Sequence, residues 1–193
     1  MRIVGGTARG RRLDAPRGPH TRPTADRVRQ SIFDTLGQFF DGGAALDLYA
    51  GSGAMGLEAL SRGVARAVLV DRDREAVRCC RENAATLGFV DRTELLPLEA
   101  LAAVQRLAAR RERFDLVFVD PPYAEGPDAA LAALAAAGMV APGGRVVAEH
   151  DKRRPPADRY GELLRTDLRA FGDTAVSFYE PVGATGADLP ERG

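Results

Sequence analysis

From residue 44 onward, short apolar runs alternate with helical segments, and this alternation constrains the fold more than any other feature of the sequence. The predicted strands are residues 44–49, 67–70, 93–96, 114–119 and 145–149, and the predicted helices are residues 54–62, 74–87, 99–110 and 127–137. Repeated strand–helix units imply a parallel sheet with helices on both faces. Residues 162–171 and 174–180, joined at Gly172-Asp173, predict a closing antiparallel hairpin.

The residues before this alternating region are rich in arginine. Residues 1–29 hold eight arginines against two aspartates, a net +6, although the whole chain has a net charge of +0. Such a local excess of charge indicates phosphate binding, and a solvated tail is the alternative. Residues 2–4 and 11–13 predict a small hairpin, and residues 24–36 predict an amphipathic helix. The glycines and prolines around them suggest that this segment contributes little to the core.

Length and composition exclude several classes of protein. A chain of 193 residues with 45% hydrophobic and 28% charged residues is typical of one globular domain with a small appendage. No apolar run is long enough to cross a membrane, and the first residues, Met-Arg-Ile-Val-Gly-Gly, have no apolar signal core, so we do not expect secretion. The two cysteines, Cys79 and Cys80, are adjacent, which suits neither a disulfide framework nor a metal site. We therefore expect free thiols in a reducing cytoplasm.

A glycine-rich loop follows the first predicted strand. It reads Ala50-Gly51-Ser52-Gly53-Ala54-Met55-Gly56, and Asp71 lies twenty residues beyond Gly51, at the end of the next strand. Glycines let a ligand approach the backbone, and a helix N-terminus offers free N–H groups. A carboxylate at the position of Asp71 can accept the hydroxyl groups of a ribose. The pattern predicts a ligand with an adenosine-like ribose.

The same fingerprint occurs in NAD-dependent dehydrogenases, so hydride transfer is an alternative. Asp47 precedes the loop, where a carboxylate suits the ammonium group of a methionine better than a pyrophosphate. The only lysine is Lys152, and no tyrosine lies four residues before it, so the usual Tyr-x-x-x-Lys proton relay is absent. These observations disfavour a dehydrogenase.

Asp120-Pro121-Pro122-Tyr123 ends the strand at residues 114–119. Ligands of open α/β sheets bind at the carboxyl edge of the strands, and two prolines make the turn stiff and leave its carbonyls as acceptors. The Asp120 carboxylate and the Pro121 carbonyl could hold a planar amine, with Tyr123 stacked on its ring. Glu99 is expected at the same edge, either accepting from the amino group of an adenine or stabilised at a helix N-terminus.

The glycine loop, from Asp47 to Gly63, resembles that of the class I S-adenosylmethionine methyltransferases. Within them the chain is similar to the RsmD family, which methylates the N2 amine of one guanine in bacterial 16S ribosomal RNA. Three further regions agree with that family, namely residues 2–11, residues 22–29 and residues 171–175. Glu99 is a departure, because such proteins often carry Asp at this position.

This resemblance implies a Rossmann-like, doubly wound sheet of seven strands and S-adenosyl-L-methionine as the methyl donor, with no metal ion. The expected catalytic residues are Asp120, Pro121, Pro122 and Tyr123. The expected cofactor-binding residues are Asp47, Ala50, Gly51, Ser52, Gly53, Asp71, Arg72, Glu99, Ala100 and Asp120. The expected RNA-binding residues are Arg2, Arg9, Arg11, Arg12, Arg22, Arg27 and Arg29.

The expected substrate is 16S ribosomal RNA, within a small ribosomal subunit or its assembly intermediate in the cytoplasm. Residues 1–43 would contact RNA, residues 44–181 would form the methyltransferase domain, and residues 182–193 would be a tail. Three alternatives remain open: an N6-adenine methyltransferase on DNA or RNA, a glutamine N5-methyltransferase on a protein, and a non-catalytic RNA-binding assembly factor. The basic segment disfavours the protein substrate, and the intact Asp120 and glycine loop disfavour the assembly factor.

Overall fold

An eight-stranded sheet organises the part of the chain described by the computed structural model, residues 1–16 and 23–183. The strands are β1 Ala44–Asp47, β2 Arg66–Val70, β3 Thr93–Leu96, β4 Phe114–Val119, β5 Val140–Asp151, β6 Arg159–Tyr160, β7 Leu163–Phe171 and β8 Thr174–Pro181. The helices are α1 Pro23–Leu36, α2 Ala54–Ser61, α3 Arg74–Leu87, α4 Ala100–Ala109 and α5 Asp128–Ala136, with a single 3-10 turn at Val90–Arg92. No helix in these ranges is long and apolar enough to cross a bilayer.

The strands lie in the order β3-β2-β1-β4-β5-β8-β7-β6. The first five are parallel, and β8, β7 and β6 continue the sheet in antiparallel pairs. The predicted α/β fold, with a doubly wound sheet and a C-terminal hairpin, is therefore confirmed. The predicted number of seven strands is wrong. The strand missing from the prediction is β6. It has two residues, which is too short to leave a periodic pattern in the sequence.

Strand β5 begins earlier than predicted. We expected a turn at Pro142-Gly143-Gly144 before a strand at residue 145, but β5 already pairs with β4 at Val140. The pairing then shifts, from Phe114 opposite Val140 to Leu116 opposite Arg145, so the intervening residues form an irregularity within the strand. Gly143 has φ 75°, a left-handed conformation that permits this bulge.

Each face of the sheet has its own hydrophobic core. Along β1, Ala45 packs on the side of α1, α2 and α3, while Leu46 packs on the side of α4 and α5. Alternate residues of the parallel strands thus contact helices on opposite faces, as two-sided burial requires. The parallel arrangement brings the carboxyl ends of β1 to β5 to one edge.

The N-terminal segment packs tightly against α2, contrary to our expectation of little core. Ile3 and Leu13 are buried in the same hydrophobic cluster as Leu57 and Phe118. The predicted hairpin is present as a bridge between Arg2 and Arg12, with backbone hydrogen bonds around it. Residues 1–14 therefore share a core with the sheet.

Glycine makes this close contact possible. Thr7 N donates to Ser61 O at 2.7 Å, and a Cβ on Gly6 would lie 1.9 Å from that same carbonyl oxygen. Ala8 N donates to the Ser61 hydroxyl, which in turn donates to Gly5 O. A larger residue at position 6 would separate the hairpin from α2.

Candidate active site

The carboxyl edge of the sheet collects the side chains that the sequence singled out. Asp47 ends β1, Asp71 follows β2, Glu99 follows β3 and Asp120 follows β4. The strand registers align these positions, because Asp47 pairs with Phe118 on one side and with Leu69 on the other. Side chains spread over 74 residues of sequence therefore meet at one edge.

Asp71 fixes the shape of the glycine loop. Its Oδ2 accepts a hydrogen bond from Gly51 N at 2.9 Å, and its Oδ1 accepts from Asp73 N at 2.9 Å. A carboxylate has about four lone-pair sites, so both oxygens retain acceptor capacity for ribose hydroxyls. Asp71 thus fits the predicted role and also braces the loop.

The two glycines of the loop face different surroundings. A Cβ on Gly53 would lie 3.1 Å from Leu57 and from Leu69 and 3.2 Å from Cys80. A Cβ on Gly51 would meet no described atom within 4 Å. Both glycines have positive φ, 54° and 79°. Gly53 is therefore required by packing inside the protein, whereas Gly51 borders the open space that a ligand would enter.

Asn83 holds the rest of the loop from α3. Its Nδ2 donates to Ser52 O at 2.9 Å and to Asp14 O at 2.9 Å, so one side chain joins the loop to the N-terminal segment. Ser52 is buried, and its hydroxyl contacts the Met1 sulfur at 3.5 Å. Ser52 thus contributes to the site through its backbone.

Asp47 is buried beneath the loop. Its carboxylate accepts a hydrogen bond from Gly56 N at 3.2 Å. Burial raises the pKa of Asp47 to about 7, and the nearby charges of Asp120 and Asp71 add to the rise, while the Gly56 hydrogen bond opposes it. A buried carboxylate of this kind gains from a cation beside it. The ammonium group of a methionine would fit this requirement.

Arg72 bridges two acidic side chains on the outer side of the loop. Its Nη1 lies 3.3 Å from Glu99 Oε1, and its Nη2 lies 3.3 Å from Glu125 Oε1. Glu99 occupies the N-cap position of α4, before Ala100, but its carboxylate makes no hydrogen bond to the helix. Since these ion pairs are exposed, they are weak, and an adenine amino group could take the place of Arg72 on Glu99.

The Asp120–Tyr123 turn lies beside the loop. Pro121 is buried, while Asp120 and Tyr123 are exposed. The Tyr123 hydroxyl is 2.7 Å from the Thr174 hydroxyl, which anchors the ring to the start of β8 and leaves 60% of the residue exposed. An aromatic ring held in this way offers a stacking surface for a planar base.

We expected both proline carbonyls of the turn to be free acceptors, but the turn itself uses one of them. The Pro122 carbonyl accepts from Glu125 N at 2.9 Å and from Gly126 N at 3.3 Å, so the turn itself uses it. No backbone N–H within residues 1–16 and 23–183 donates to the Pro121 carbonyl. Pro121 O, next to the Asp120 side chain, therefore remains the acceptor that suits a planar amine.

Comparison with known proteins assigns the chain to a family. The model of the family described as Conserved hypothetical protein 95 matches residues 1–180. "Putative rRNA methyltransferase YlbH" of Bacillus subtilis is 40% identical over 184 residues, covering 95% of this chain and 100% of that protein. The chain belongs to the RsmD family.

Two further relatives are informative. Ribosomal RNA small subunit methyltransferase D of Escherichia coli is 41% identical over 126 residues, 65% of this chain and 62% of that protein. The solved structure of "Putative methyltransferase yhhF from Escherichia coli" has a TM-score of 0.79 at 31% identity, covering 94% of this chain and 97% of that one. Membership of the RsmD family makes this chain one of the class I S-adenosylmethionine methyltransferases. S-adenosylmethionine, the predicted cofactor, is the methyl donor of that class.

The arginines predicted to bind RNA fall into three groups. Five are exposed on or near the N-terminal hairpin: Arg2, Arg9, Arg11, Arg12 and Arg27. Arg22 lies outside the described residues. Arg29 is buried, with 3% of it exposed, so the prediction that it binds RNA is wrong.

Arg29 is held inside the protein by acidic and carbonyl groups. Its guanidinium bonds to Asp26 Oδ1 at 2.8 Å and to Arg2 O, and its Nε lies 3.4 Å from Glu58. A guanidinium engaged in this way cannot turn towards a phosphate. No sequence pattern indicates this burial, because an arginine in a basic helix resembles its exposed neighbours.

We expect Gly51→Val to weaken S-adenosylmethionine binding at least tenfold while lowering stability only by roughly 1–2 kcal/mol, the cost of a left-handed non-glycine residue. The new side chain would occupy the ligand's space rather than displace protein atoms. Gly53→Val is the matched control, because it should mainly lower the melting temperature. Calorimetry with S-adenosylmethionine and with NAD measures both effects. Binding of NAD in place of S-adenosylmethionine would contradict the assignment.

Proposed function

We propose that this protein transfers a methyl group from S-adenosylmethionine to the exocyclic N2 amine of a specific guanine in bacterial 16S ribosomal RNA. The observation that carries the proposal is the meeting of the glycine loop with the Asp120–Tyr123 turn at one edge of the sheet. The names of the RsmD-family relatives, an rRNA methyltransferase and a small-subunit methyltransferase, support the choice of RNA.

The cofactor would lie along the glycine loop. Gly51 would admit its backbone-facing part, Asp71 would accept its ribose hydroxyls, Asp47 would face its ammonium group, and Glu99 would accept from its adenine amine. When bound, S-adenosylmethionine supplies an electrophilic methyl group on a sulfonium. The remaining chemistry belongs to residues of the chain.

An exocyclic amine of a base is a poor nucleophile, because its lone pair is delocalised into the ring. Hydrogen bonds from its two N–H groups to the Asp120 carboxylate and the Pro121 carbonyl would draw the nitrogen towards tetrahedral geometry. The lone pair would then point at the methyl group, and catalysis would consist mostly of positioning and electrostatics. The amine proton is lost after the nitrogen–carbon bond forms, so Asp120 need not be a strong base.

The base must leave its stack to reach this turn. Enzymes that modify bases hold the extruded base by stacking and by hydrogen bonds to its Watson–Crick edge. The anchored Tyr123 ring would provide the stacking, worth about 1–3 kcal/mol per base. We propose that residues 1–43 hold the RNA, that residues 44–181 carry out the transfer, and that the substrate is a cytoplasmic small subunit or its assembly intermediate.

Methylation mapping tests the proposal. Ribosomal RNA from a strain lacking the protein should lack one N2-methylguanosine in 16S RNA, and the wild-type gene should restore it while an Asp120→Ala gene should not. Purified protein with naked 16S RNA or with small subunits then identifies the substrate form. Restoration of N6-methyladenosine or of a methylated glutamine, with no change in guanine, would overturn the proposal.

We expect Arg9, Arg11 and Arg12, when replaced together by glutamine, to weaken RNA binding and to flatten its salt dependence. Each lost phosphate contact should reduce the log–log slope by roughly 0.7 for single strands. The arginines are exposed, so the fold should persist. The control replaces Arg106, Arg111 and Arg113 by glutamine, which removes the same charge. These arginines are also exposed, and they lie on α4 or just after it, on the face of the sheet opposite the N-terminal segment. Equal effects of the two triple variants would mean that the N-terminal hairpin has no special role in RNA binding.

A further inference from the structure

Glu149 lies beside Asp120 at the carboxyl edge of the sheet. Val119 of β4 pairs with Ala148 of β5, so the next residue of each strand is Asp120 and Glu149. Neighbouring strands are about 4.8 Å apart, which places the two carboxylates in one site. The predicted strand 145–149 ends at this glutamate, but the sequence analysis assigned it no role.

Glu149 also lines a cavity with the amine-holding turn. The cavity has a volume of about 230 Å³, and its walls include Pro121, Tyr123 and Glu149. Other charged groups at the wall are Glu125, Asp128, Asp151 and Arg154. His150 points its Nε2 to the Ser177 hydroxyl at 2.9 Å. The carboxylate of Glu149 therefore adjoins the place proposed for the base.

The surroundings of Glu149 favour a partner that donates hydrogen bonds. Burial raises the pKa of Glu149 to about 8, and the charge of Asp120 adds to the rise. No donor within residues 1–16 and 23–183 hydrogen-bonds to this carboxylate. A buried carboxylate beside a second negative charge ionises more readily when a donor or a cation faces it. A ligand with adjacent N–H groups would meet that need.

Guanine carries such donors side by side, on N1 and on the N2 amine. Adenine differs, because the ring nitrogen N1 beside its amine is an acceptor, which an ionised carboxylate repels. We propose that Glu149 selects guanine by accepting the N1–H of the target base while Asp120 and the Pro121 carbonyl hold the N2 amine. This inference rests on the proposed function and names the residue that reads the base.

The inference predicts a pH dependence with a definite sign. A charge-assisted hydrogen bond is stronger than a neutral one, so the N1–H favours ionised Glu149. The value of kcat/KM reports groups of the free enzyme, and it should rise with pH through about pH 8 and level off above it, once Glu149 is ionised. Asp47, whose pKa is about 7, also titrates in the free enzyme, but a Glu149 variant retains it.

The test compares target RNA with the same RNA carrying 2-aminopurine at the target position. This base keeps the 2-amine, but its N1 has no hydrogen. Wild-type protein should prefer guanine by about 10- to 100-fold in kcat/KM, the effect of one hydrogen bond to a charged group. Glu149→Gln should reduce the preference to a few-fold, because an amide can accept or donate, and should remove the rise near pH 8.

Glu180→Gln is the control, since Glu180 on β8 pairs with Arg145 at 3.1 Å outside the site. It should keep both the preference and the pH profile. An unchanged preference and profile in Glu149→Gln would overturn the inference, as would a wild-type protein that methylates both bases equally. The second result needs no variant and leaves the proposed function intact. Absence of any transfer to guanine by the wild-type protein would instead refute the proposed function and this inference together.

Discussion

Asp120→Ala is expected to lower kcat and kcat/KM together, by roughly 10²- to 10³-fold, the usual effect of removing one group that stabilises a transition state. The Asp120 carboxylate would accept one N–H of the target amine, and alanine leaves only the Pro121 carbonyl. Single-turnover methyl transfer with saturating cofactor and RNA measures the effect directly. Because Asp120 is exposed at a sheet edge, the fold should persist.

Two variants sharpen this prediction. Asp120→Asn keeps one acceptor oxygen and should retain more activity than the alanine variant. Tyr123→Phe should be mild, because the ring still stacks after losing its bond to Thr174, whereas Tyr123→Ala should be severe. Near-normal turnover in Asp120→Ala would show that the carboxylate does not hold the amine.

Asp120→Ala has a second consequence that does not depend on activity. The charge of Asp120 raises the pKa values of Asp47 and Glu149. Its removal should therefore lower both pKa values, and titration of the two carboxyl groups in the ligand-free protein would detect the shifts.

The sequence predicted the framework of the site well, because local rules govern it. Strand 114–119 and helix 74–87 have the predicted bounds, and the glycine loop lies where the strand–loop–helix pattern required. Parallel strands share a carboxyl edge, so strand order alone brings Asp47, Asp71 and Asp120 together. Periodicity and turn chemistry are enough for such features.

The sequence failed where burial depends on distant partners. Arg29 looks like its exposed neighbours, and Glu58 looks like an ordinary helical glutamate. Both are buried because residues that are far apart in the chain meet there. Likewise, β6 is too short for a pattern, and the bulge in β5 depends on its partner β4. Such features follow from the assembled fold rather than from local preference.

Glu58 of α2 joins the N-terminal segment to this helix. Its carboxylate is fully buried and accepts from Val4 N at 2.8 Å and from Gly5 N at 2.7 Å. It also pairs with Arg62 Nε at 2.8 Å and with Arg29 Nε at 3.4 Å. The side chain therefore accepts hydrogen bonds from two backbone donors and from Arg62, and its charge also pairs with that of Arg29, whose Nε makes no hydrogen bond among the described residues.

Glu58→Ala should lower the free energy of unfolding by about 3–5 kcal/mol, the usual effect of removing one partner of a buried charge pair. Arg29 and Arg62 would keep their charges inside the protein without this carboxylate, and the two backbone N–H groups would lose their acceptor. For a chain of this size the melting temperature should fall by roughly 6–20 °C. Urea unfolding measures the change in free energy.

Glu94→Ala is the matched control, because Glu94 pairs with Arg110 at 2.7 Å but both side chains are over one-third exposed. A surface pair of this kind contributes about 0–1 kcal/mol. Equal destabilisation by the two variants would mean that water reaches Arg29 and Arg62. If Glu58→Ala is far more destabilising, the N-terminal hairpin is held by a buried charge on the same helix that begins at the glycine loop. Its exposed arginines would then keep a fixed position relative to the glycine loop, as the proposed function requires if they hold RNA while its target base reaches the Asp120–Tyr123 turn.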